Sequence, residues 1–202
     1  MKIASPLILA IVLIGSAPAA VQALGYNFVS AKYLSFNSEE YGAFEDVDGK
    51  GHVVDLSLTA GPNFAVTAKL LRVQDANVIG SGVSHTAEIR TVSFGGQINM
   101  PLSIVTDLIL GVGFISGEVR VNSGFGGSED ADGSEVHFGF RTIKSGNIEF
   151  NAYINKNTVE GVKHVGFSLG AAYYIGNSLA IDLDFLLDRK NRLLAIGITK
   201  YF

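Results

Sequence analysis

Cysteine and tryptophan are absent from the 202-residue sequence, and charged residues make up only 17% of it. Without cysteine the chain forms no disulfide framework and carries no thiolate chemistry. The net charge of −4 at pH 7 argues against a nucleic-acid-binding protein, which would carry a basic surface stripe. Beyond residue 23 no apolar run is long enough for a transmembrane helix, because polar residues interrupt every apolar segment.

Apolar residues are nevertheless abundant, at 48% of the chain, and the mean hydropathy is +0.32. Glycine accounts for 24 residues, which is about 12% of the chain against a usual share of about 7%. This composition excludes an intrinsically disordered protein, and the length suits one domain rather than two.

The first 23 residues have the layout of a secretory signal peptide. Lys2 provides the positive charge, and an apolar core from Leu7 to Ile14 follows it. Val21 and Ala23 place slim or small side chains at the −3 and −1 positions of a cleavage site. The apolar core is too short for a membrane anchor, which needs about 20 residues. We therefore predict a signal peptide over 1–23 and one mature domain over 24–202.

The mature chain alternates with the two-residue period of β-strands. In 164–175 one face is large and apolar, and the other is small or polar: Val165, Phe167, Leu169, Ala171, Tyr173 and Ile175 against His164, Gly166, Ser168, Gly170, Ala172 and Tyr174. The whole pattern predicts ten strands, with eight as the alternative count, at 26–37, 51–61, 63–74, 84–98, 106–121, 134–145, 147–157, 163–175, 178–189 and 191–202.

The polar faces of these strands hold Gly, Ser, Thr and Asn rather than the many charges of a soluble sandwich. Apolar residues outside and polar residues inside are typical of a membrane barrel. In hydrocarbon an open sheet edge leaves backbone groups unpaired, so the sheet must close. The sequence thus predicts an all-β fold, a transmembrane antiparallel up-and-down β-barrel whose first and last strands pair.

Connections between the predicted strands alternate between short turns and longer loops. An even strand number places both termini on the periplasmic side, so the longer connections are predicted to be external. These external loops are 38–50, 75–84, 122–134, 157–163 and a minimal 189–191. Four charged residues interrupt the alternation, so their strand ends are predicted to lie above the membrane or to carry a bulge: Glu88, Arg90, Glu118 and Arg120.

The final strand is amphipathic and ends on an aromatic residue, with Leu194, Ile196, Ile198 and Phe202 on one face. Together with the segments YNFVSAKY, LSLTAGPNFAVTAKL and SLGAAYYIGNSLAIDLDF, this pattern resembles the small porin-family, OmpA-like outer-membrane β-barrels, in particular a ten-stranded subset. Lys200 stands where such proteins usually have another aromatic residue. The resemblance implies a location in the outer membrane of a Gram-negative bacterium, among lipid and lipopolysaccharide. It also implies that the barrel-assembly machinery reads Phe202 as an assembly signal.

Charged side chains on the predicted lumen face form the candidate site: Lys32, Asp55, Lys69, His137, Arg141, Glu149, Asp182 and Asp184. Facing lipid, a Lys or Arg at the midplane would cost about 2–4 kcal/mol. Two interpretations stay open, a polar network that stabilises the barrel and a narrow hydrophilic path through it. In either case we predict that Lys32, Lys69 or Arg141 contacts Asp182 or Asp184 across the lumen.

The sequence leaves two main functions open. The first is a structural or narrow passive-diffusion barrel. The second is a surface adhesin or binding module that uses the acidic external loops 38–50 and 122–134 to hold an external ligand.

No catalytic, cofactor or metal site is predicted. On one strand, His164 and Ser168 lie roughly 13 Å apart, too far for a base and a nucleophile. The segments 46–49 and 130–133 begin like calcium loops but have no third acidic position, and solvated acidic turns account for them; weak binding of Ca²⁺ or Mg²⁺ is the alternative.

Overall fold

Ten antiparallel strands follow one another and close into a barrel in a computed structural model of the protein. The strands are β1 (Phe28–Tyr41), β2 (Phe44–Gly61), β3 (Phe64–Gly80), β4 (Val83–Pro101), β5 (Thr106–Val121), β6 (Ser128–Lys144), β7 (Ile148–Val159), β8 (Val162–Ile175), β9 (Leu179–Asp188) and β10 (Asn191–Tyr201). The structure describes residues 25–41, 44–80, 83–121, 127–144, 147–160, 162–188 and 190–202. The predicted signal peptide over 1–23 lies outside the described residues and stays a prediction.

Each strand pairs with its neighbours in sequence, and β1 closes the barrel against β10 with Lys32 opposite Gly197. Closure gives every strand a partner on both sides, which satisfies the backbone hydrogen-bonding groups that an open edge would leave unpaired. The predicted ten strands and the pairing of the first with the last are confirmed. Among the residues that the structure describes, no helix has the length and hydropathy needed to cross a membrane.

The two-residue period places large apolar side chains on the outer surface. Phe114, Val165 and Ile196 are more than half exposed, and they represent a band of such residues around the whole barrel. Small and polar residues face the lumen, where Ser30, Ser57 and Thr199 are almost fully buried. The short β8–β9 turn contains Gly176 with a φ of 70°, a conformation that glycine adopts without a steric penalty.

The external ends of the strands differ from the prediction. The predicted loops 38–50, 75–84 and 122–134 are mostly strand, with only their tips at 42–43, 81–82 and 122–126 outside the described residues. As a result β2 to β6 have 16 to 19 residues each, whereas β7 to β10 have 10 to 14. One side of the barrel therefore rises above the other as a wall, which we call the external wall.

The predicted loops were too long because the two faces of a strand exchange polarity outside the membrane while the strand continues. The exchange is clearest on β4, whose predicted range of 84–98 already reached this region. On the membrane segment of β4 the outer face carries Val92 and Phe94, and beyond it the outer face carries Arg90 while Ile89 turns inward and is 1% exposed. A β-bulge in β3 shifts the alternation by one residue and keeps its apolar residues inside. Of the two alternatives predicted for the charged ends of β4 and β5, the position above the membrane is the one observed, because these ends lie beyond the outward apolar residues and the pairing of the two strands is regular, without a bulge.

Candidate functional site

A buried ion pair between Arg141 and Glu149 lies in the lumen near the periplasmic end. Arg141 Nε and Nη2 donate to the two carboxylate oxygens of Glu149, both at 2.8 Å. The Tyr174 hydroxyl donates to Glu149 Oε2 at 2.6 Å. The side chains of Arg141 and Glu149 are 7% and 3% exposed, so this bidentate pair is shielded from solvent and stronger than a surface pair.

Residues that precede β1 fold over this ion pair and cover it from the periplasmic side. The Arg141 guanidinium lies 4.7 Å from the centre of the Tyr26 ring, and its Nη1 donates to the Gly25 carbonyl at 3.2 Å. The Tyr26 hydroxyl in turn donates to Asp107 Oδ2 at 2.5 Å. Below this layer an open cavity of about 680 Å³ faces the periplasm.

Lys32 is the centre of a second polar group, deeper in the lumen. Its ammonium contacts Asp184 and lies 3.6 Å from Asp55, whose other oxygen lies 3.9 Å from Lys69. Asp182 accepts a hydrogen bond from the hydroxyl of Thr199. The contact expected between a cation and Asp182 or Asp184 is therefore present, and Lys32 makes it.

The strand register places all eight predicted lumen residues on the inner face. Seven of them belong to the two polar groups. His137 stands apart, with its ring edge-on to Tyr153 at 5.7 Å, and it forms no salt bridge within the described part of the chain. A cavity of about 110 Å³ separates the two polar groups and is lined by Lys32, Arg141, Glu149, Tyr153, Asp182 and Asp184.

Sequence reasoning missed several polar partners of these groups, namely Tyr26, Asp107, Tyr174 and Thr199. A parity count would have found Asp107, Tyr174 and Thr199, because each alternates with outward apolar residues on its own strand. Tyr26 precedes the first strand and has no periodicity to follow, so only the folded chain reveals its contact with Arg141.

An apolar cluster packs inside the external half of the barrel. Its members come from β1 to β5 and β10 and are at most 7% exposed: Leu34, Val47, Val53, Val73, Ala76, Val78, Ala87, Ile89, Val119 and Ala195. Phe36, Leu71 and Leu193 pack against them. The polar lumen thus ends at an apolar interior where the strands leave the membrane, an arrangement that the sequence analysis did not predict.

Glycines inside the lumen lie beside the largest inward side chains. Gly111 is opposite His137, and Gly139 is opposite Tyr153 on the neighbouring strand. A β-carbon added at either glycine would collide with the neighbouring ring or backbone. The His137 ring therefore occupies the space that the missing β-carbon of Gly111 leaves, whereas at Gly139 the nearest atom is the backbone carbonyl oxygen of Ala152.

The outer face of the external wall carries paired charges. Glu88 Oε1 accepts from Arg72 Nε at 2.5 Å and from Arg90 Nε at 2.9 Å, while Glu118 pairs with Arg120. Hydrogen bonds from Arg90 and Arg72 hold the pKa of the Glu88 carboxyl, beyond the membrane segment, below its ordinary value. These pairs explain how charged residues interrupt the apolar alternation without ending the strands.

The two segments that resemble calcium loops are strands. In 130–133 the side chains of Asp130 and Asp132 are exposed on the outer face, and Ala131 between them faces inward. In 46–49 the same alternation buries Val47 inside. Within the described ranges no group of three His, Cys, Asp or Glu residues could hold a metal ion.

Residues 7–174 match the family model described as the outer membrane protein beta-barrel domain. Among solved structures, the β domain of the Bordetella autotransporter BrkA is 10% identical with a TM-score of 0.54, and the alignment covers 88% of this chain and all of that one. The attachment invasion locus protein Ail of Yersinia pestis is 12% identical with a TM-score of 0.47, over 86% and 98% of the two chains. Neisserial surface protein A is 10% identical with a TM-score of 0.49, over 87% and 96%. No curated protein matches the sequence significantly.

Proposed function

Because this chain belongs to the outer membrane protein beta-barrel domain family and lies in the bacterial outer membrane, we propose that it is a closed barrel presenting a binding surface outside the cell. The observation that carries the proposal is the apolar cluster inside the external half. A water-filled channel would need polar residues there, whereas the most buried side chains of the cluster are Leu, Val and Ile. The rigid barrel then serves as the anchor, and the external wall is the part that a partner can reach.

The external wall favours a basic partner. Glu118 lies opposite Asp130 in the pairing of β5 with β6, and Asp132 follows on the same outer face. Arg120 pairs with Glu118, whereas Asp130 and Asp132 form no salt bridge within the described residues, so a cationic partner would supply the counter-charge that they lack. The acidic residues of 38–50 lie on the hairpin between β1 and β2. We propose that the ligand is a basic protein segment.

Narrow passive diffusion is the second candidate. It is favoured by two cavities that follow one another along the barrel axis, the open periplasmic cavity of about 680 Å³ and the smaller lumen cavity of about 110 Å³. A solute moving outward from these cavities would have to pass both the Tyr26 cover and the apolar cluster. Conduction would therefore require these groups to move.

Planar-bilayer recordings of the purified barrel distinguish the two functions. We expect no stepwise conductance from the wild type, and measurable conductance when Val73 and Ile89 are both replaced by glycine. The control replaces the outward-facing Val92 by glycine, which leaves the lumen unchanged. Stepwise conductance of the wild type at the same level as the glycine variant would favour diffusion.

Binding is tested separately with a lysine-rich peptide, using a glutamate-rich peptide of equal length as the control. Asp130→Asn together with Asp132→Asn should weaken the lysine-rich complex and leave the heat-modifiable gel mobility of the barrel unchanged. Equal affinity of the wild type for both peptides would contradict a basic partner.

We further propose that the chain is not an enzyme and that the barrel-assembly machinery recognises its last strand through Phe202. Phe202 is 37% exposed, and its backbone N–H donates to the Asn27 carbonyl at 3.1 Å, next to the seam between β1 and β10. Assembly machinery that closes this seam would therefore contact Phe202 at the periplasmic end of the seam. This proposed role is tested by the variant described in the Discussion.

A further inference from the structure

The outward side chains directly beyond the external edge of the apolar band are neutral or basic and never acidic in the described part of the chain. In chain order they are Ser35, His52, Arg72, Arg90, Ser116, Ser134, Lys156, Lys163 and Arg192, and the corresponding position on β9 lies outside the described residues. None of these nine is acidic, although the chain has 19 acidic residues against 15 basic ones. At the periplasmic edge, Lys144 and Lys200 are the only outward basic residues in the described part of the chain.

Three outward basic residues at the external edge of the low side have no carboxylate partner among the residues that the structure describes. On the external wall, by contrast, Arg72 and Arg90 both bind Glu88. Lys156, Lys163 and Arg192 on β7, β8 and β10 are exposed and make no described salt bridge. Three cations along one rim without a described counter-charge indicate that the counter-charge comes from outside the chain.

Two of these residues are close enough to act on one phosphate group. Lys156 lies opposite Val165, and Lys163 is two residues further along β8, so the two lysines are diagonal neighbours about 7 Å apart. Arg192 lies opposite Leu187 on β9, which pairs with Phe167 on β8, so it extends the same rim two strands away from β8. Directly beneath the patch the outer surface is apolar and exposed, at Ile154, Val165, Phe167, Leu187 and Leu194.

We propose that Lys156, Lys163 and Arg192, which we call the low-rim patch, bind the phosphate groups of lipopolysaccharide in the outer leaflet. A phosphorylated, acylated lipid matches both parts of the surface, because its phosphates reach the cations while its acyl chains cover the apolar residues below. Arg recognises phosphate through paired N–H donors, and Lys contributes a mobile point charge. This inference does not depend on the proposed protein partner, since it concerns a lipid and the residues of β7, β8 and β10, whereas the partner is proposed to contact β5 and β6.

The test uses the full mature barrel folded into phosphatidylcholine vesicles with or without bisphosphorylated lipid A. The variant is Lys156→Gln with Lys163→Gln, and the matched control is Lys144→Gln with Lys200→Gln at the periplasmic edge. The readout is the difference between the urea midpoints of each protein in vesicles with and without lipid A. A loss of stability that occurs in both kinds of vesicle does not change this difference. Titrating lipid A gives the apparent affinity.

We expect the low-rim variant to lose affinity for lipid A by about fivefold per lysine, and the control to keep the wild-type affinity. Lys156→Arg with Lys163→Arg should retain the affinity, which keeps the test valid if the glutamine variant folds poorly. Lipid A without phosphates should stabilise none of the proteins. An equal loss of lipid A affinity in the low-rim variant and the control would overturn the proposal. Stabilisation of the wild type by inorganic phosphate equal to that by lipid A would also overturn it, because it would indicate a site for the free anion.

Discussion

Replacing Arg141 by methionine removes a buried cation and leaves the Glu149 carboxylate without its main partner. The two side chains are 7% and 3% exposed, so water cannot replace the two hydrogen bonds of 2.8 Å that Arg141 donates. Breaking a buried ion pair from one side costs about 3–5 kcal/mol. The Tyr174 hydroxyl still donates to Glu149, so we expect a loss near the lower limit, about 3 kcal/mol.

Urea unfolding of the barrel in lipid vesicles, followed by heat-modifiable gel mobility, measures this loss. With a slope of about 1–3 kcal/mol per molar urea, the midpoint should fall by roughly 1–3 M. Replacing Arg141 and Glu149 together by methionine and leucine removes both charges, and most of the stability should return. Arg120→Met, which breaks an exposed pair with Glu118, is the control and should leave the midpoint almost unchanged.

The reasoning is refuted if Arg141→Met costs no more than Arg120→Met. It is also refuted if the double variant is less stable than Arg141→Met, because the penalty would then not arise from an unpaired carboxylate.

Three further predictions concern the seam, the tips and the apolar cluster. Phe202→Ala should lower outer-membrane levels in cells far more than Phe140→Ala, a comparably exposed outward residue, and equal levels would argue against an assembly signal. Exchanging only the tips 42–43 and 122–126 for Gly/Ser should leave the urea midpoint unchanged, whereas exchanging all of 38–50 removes Val47 from the cluster and should lower it. Ile89→Ala should cost about 2–4 kcal/mol in the same unfolding assay, and a smaller cost than that of the exposed Val92→Ala would mean that the cluster does not contribute to stability.

The membrane part of the fold was predictable because on every strand the apolar side chains face the lipid and the small or polar side chains face the lumen. The parity of Lys32, Asp182 and Asp184 placed them inside, and closure of β1 on β10 made contact between Lys32 and Asp184 reachable. The strand count followed from the same alternation.

The external wall was not predictable by that rule, because outside the membrane the favourable faces are reversed. Glu88 and Arg90 were predicted within strand 84–98, either above the membrane or at a bulge, and in the folded chain they lie beyond the apolar band on the outer face of a strand whose other face is buried. Apolar and polar residues alternate both within the membrane and beyond it, but the apolar face points outward within the membrane and inward beyond it. Contacts across the lumen, such as Tyr26 on Arg141, depend on barrel curvature and cannot be read from period or spacing.

The glycine that lies beside His137 has a consequence for how this barrel could change in evolution. Because the His137 ring occupies the site of the missing β-carbon of Gly111, ring and glycine constrain each other, and enlarging the glycine first would produce a collision. Shortening the ring first produces a void without a clash. A route from this barrel towards an open channel is therefore ordered at this position: the His137 ring must be lost before Gly111 can vary.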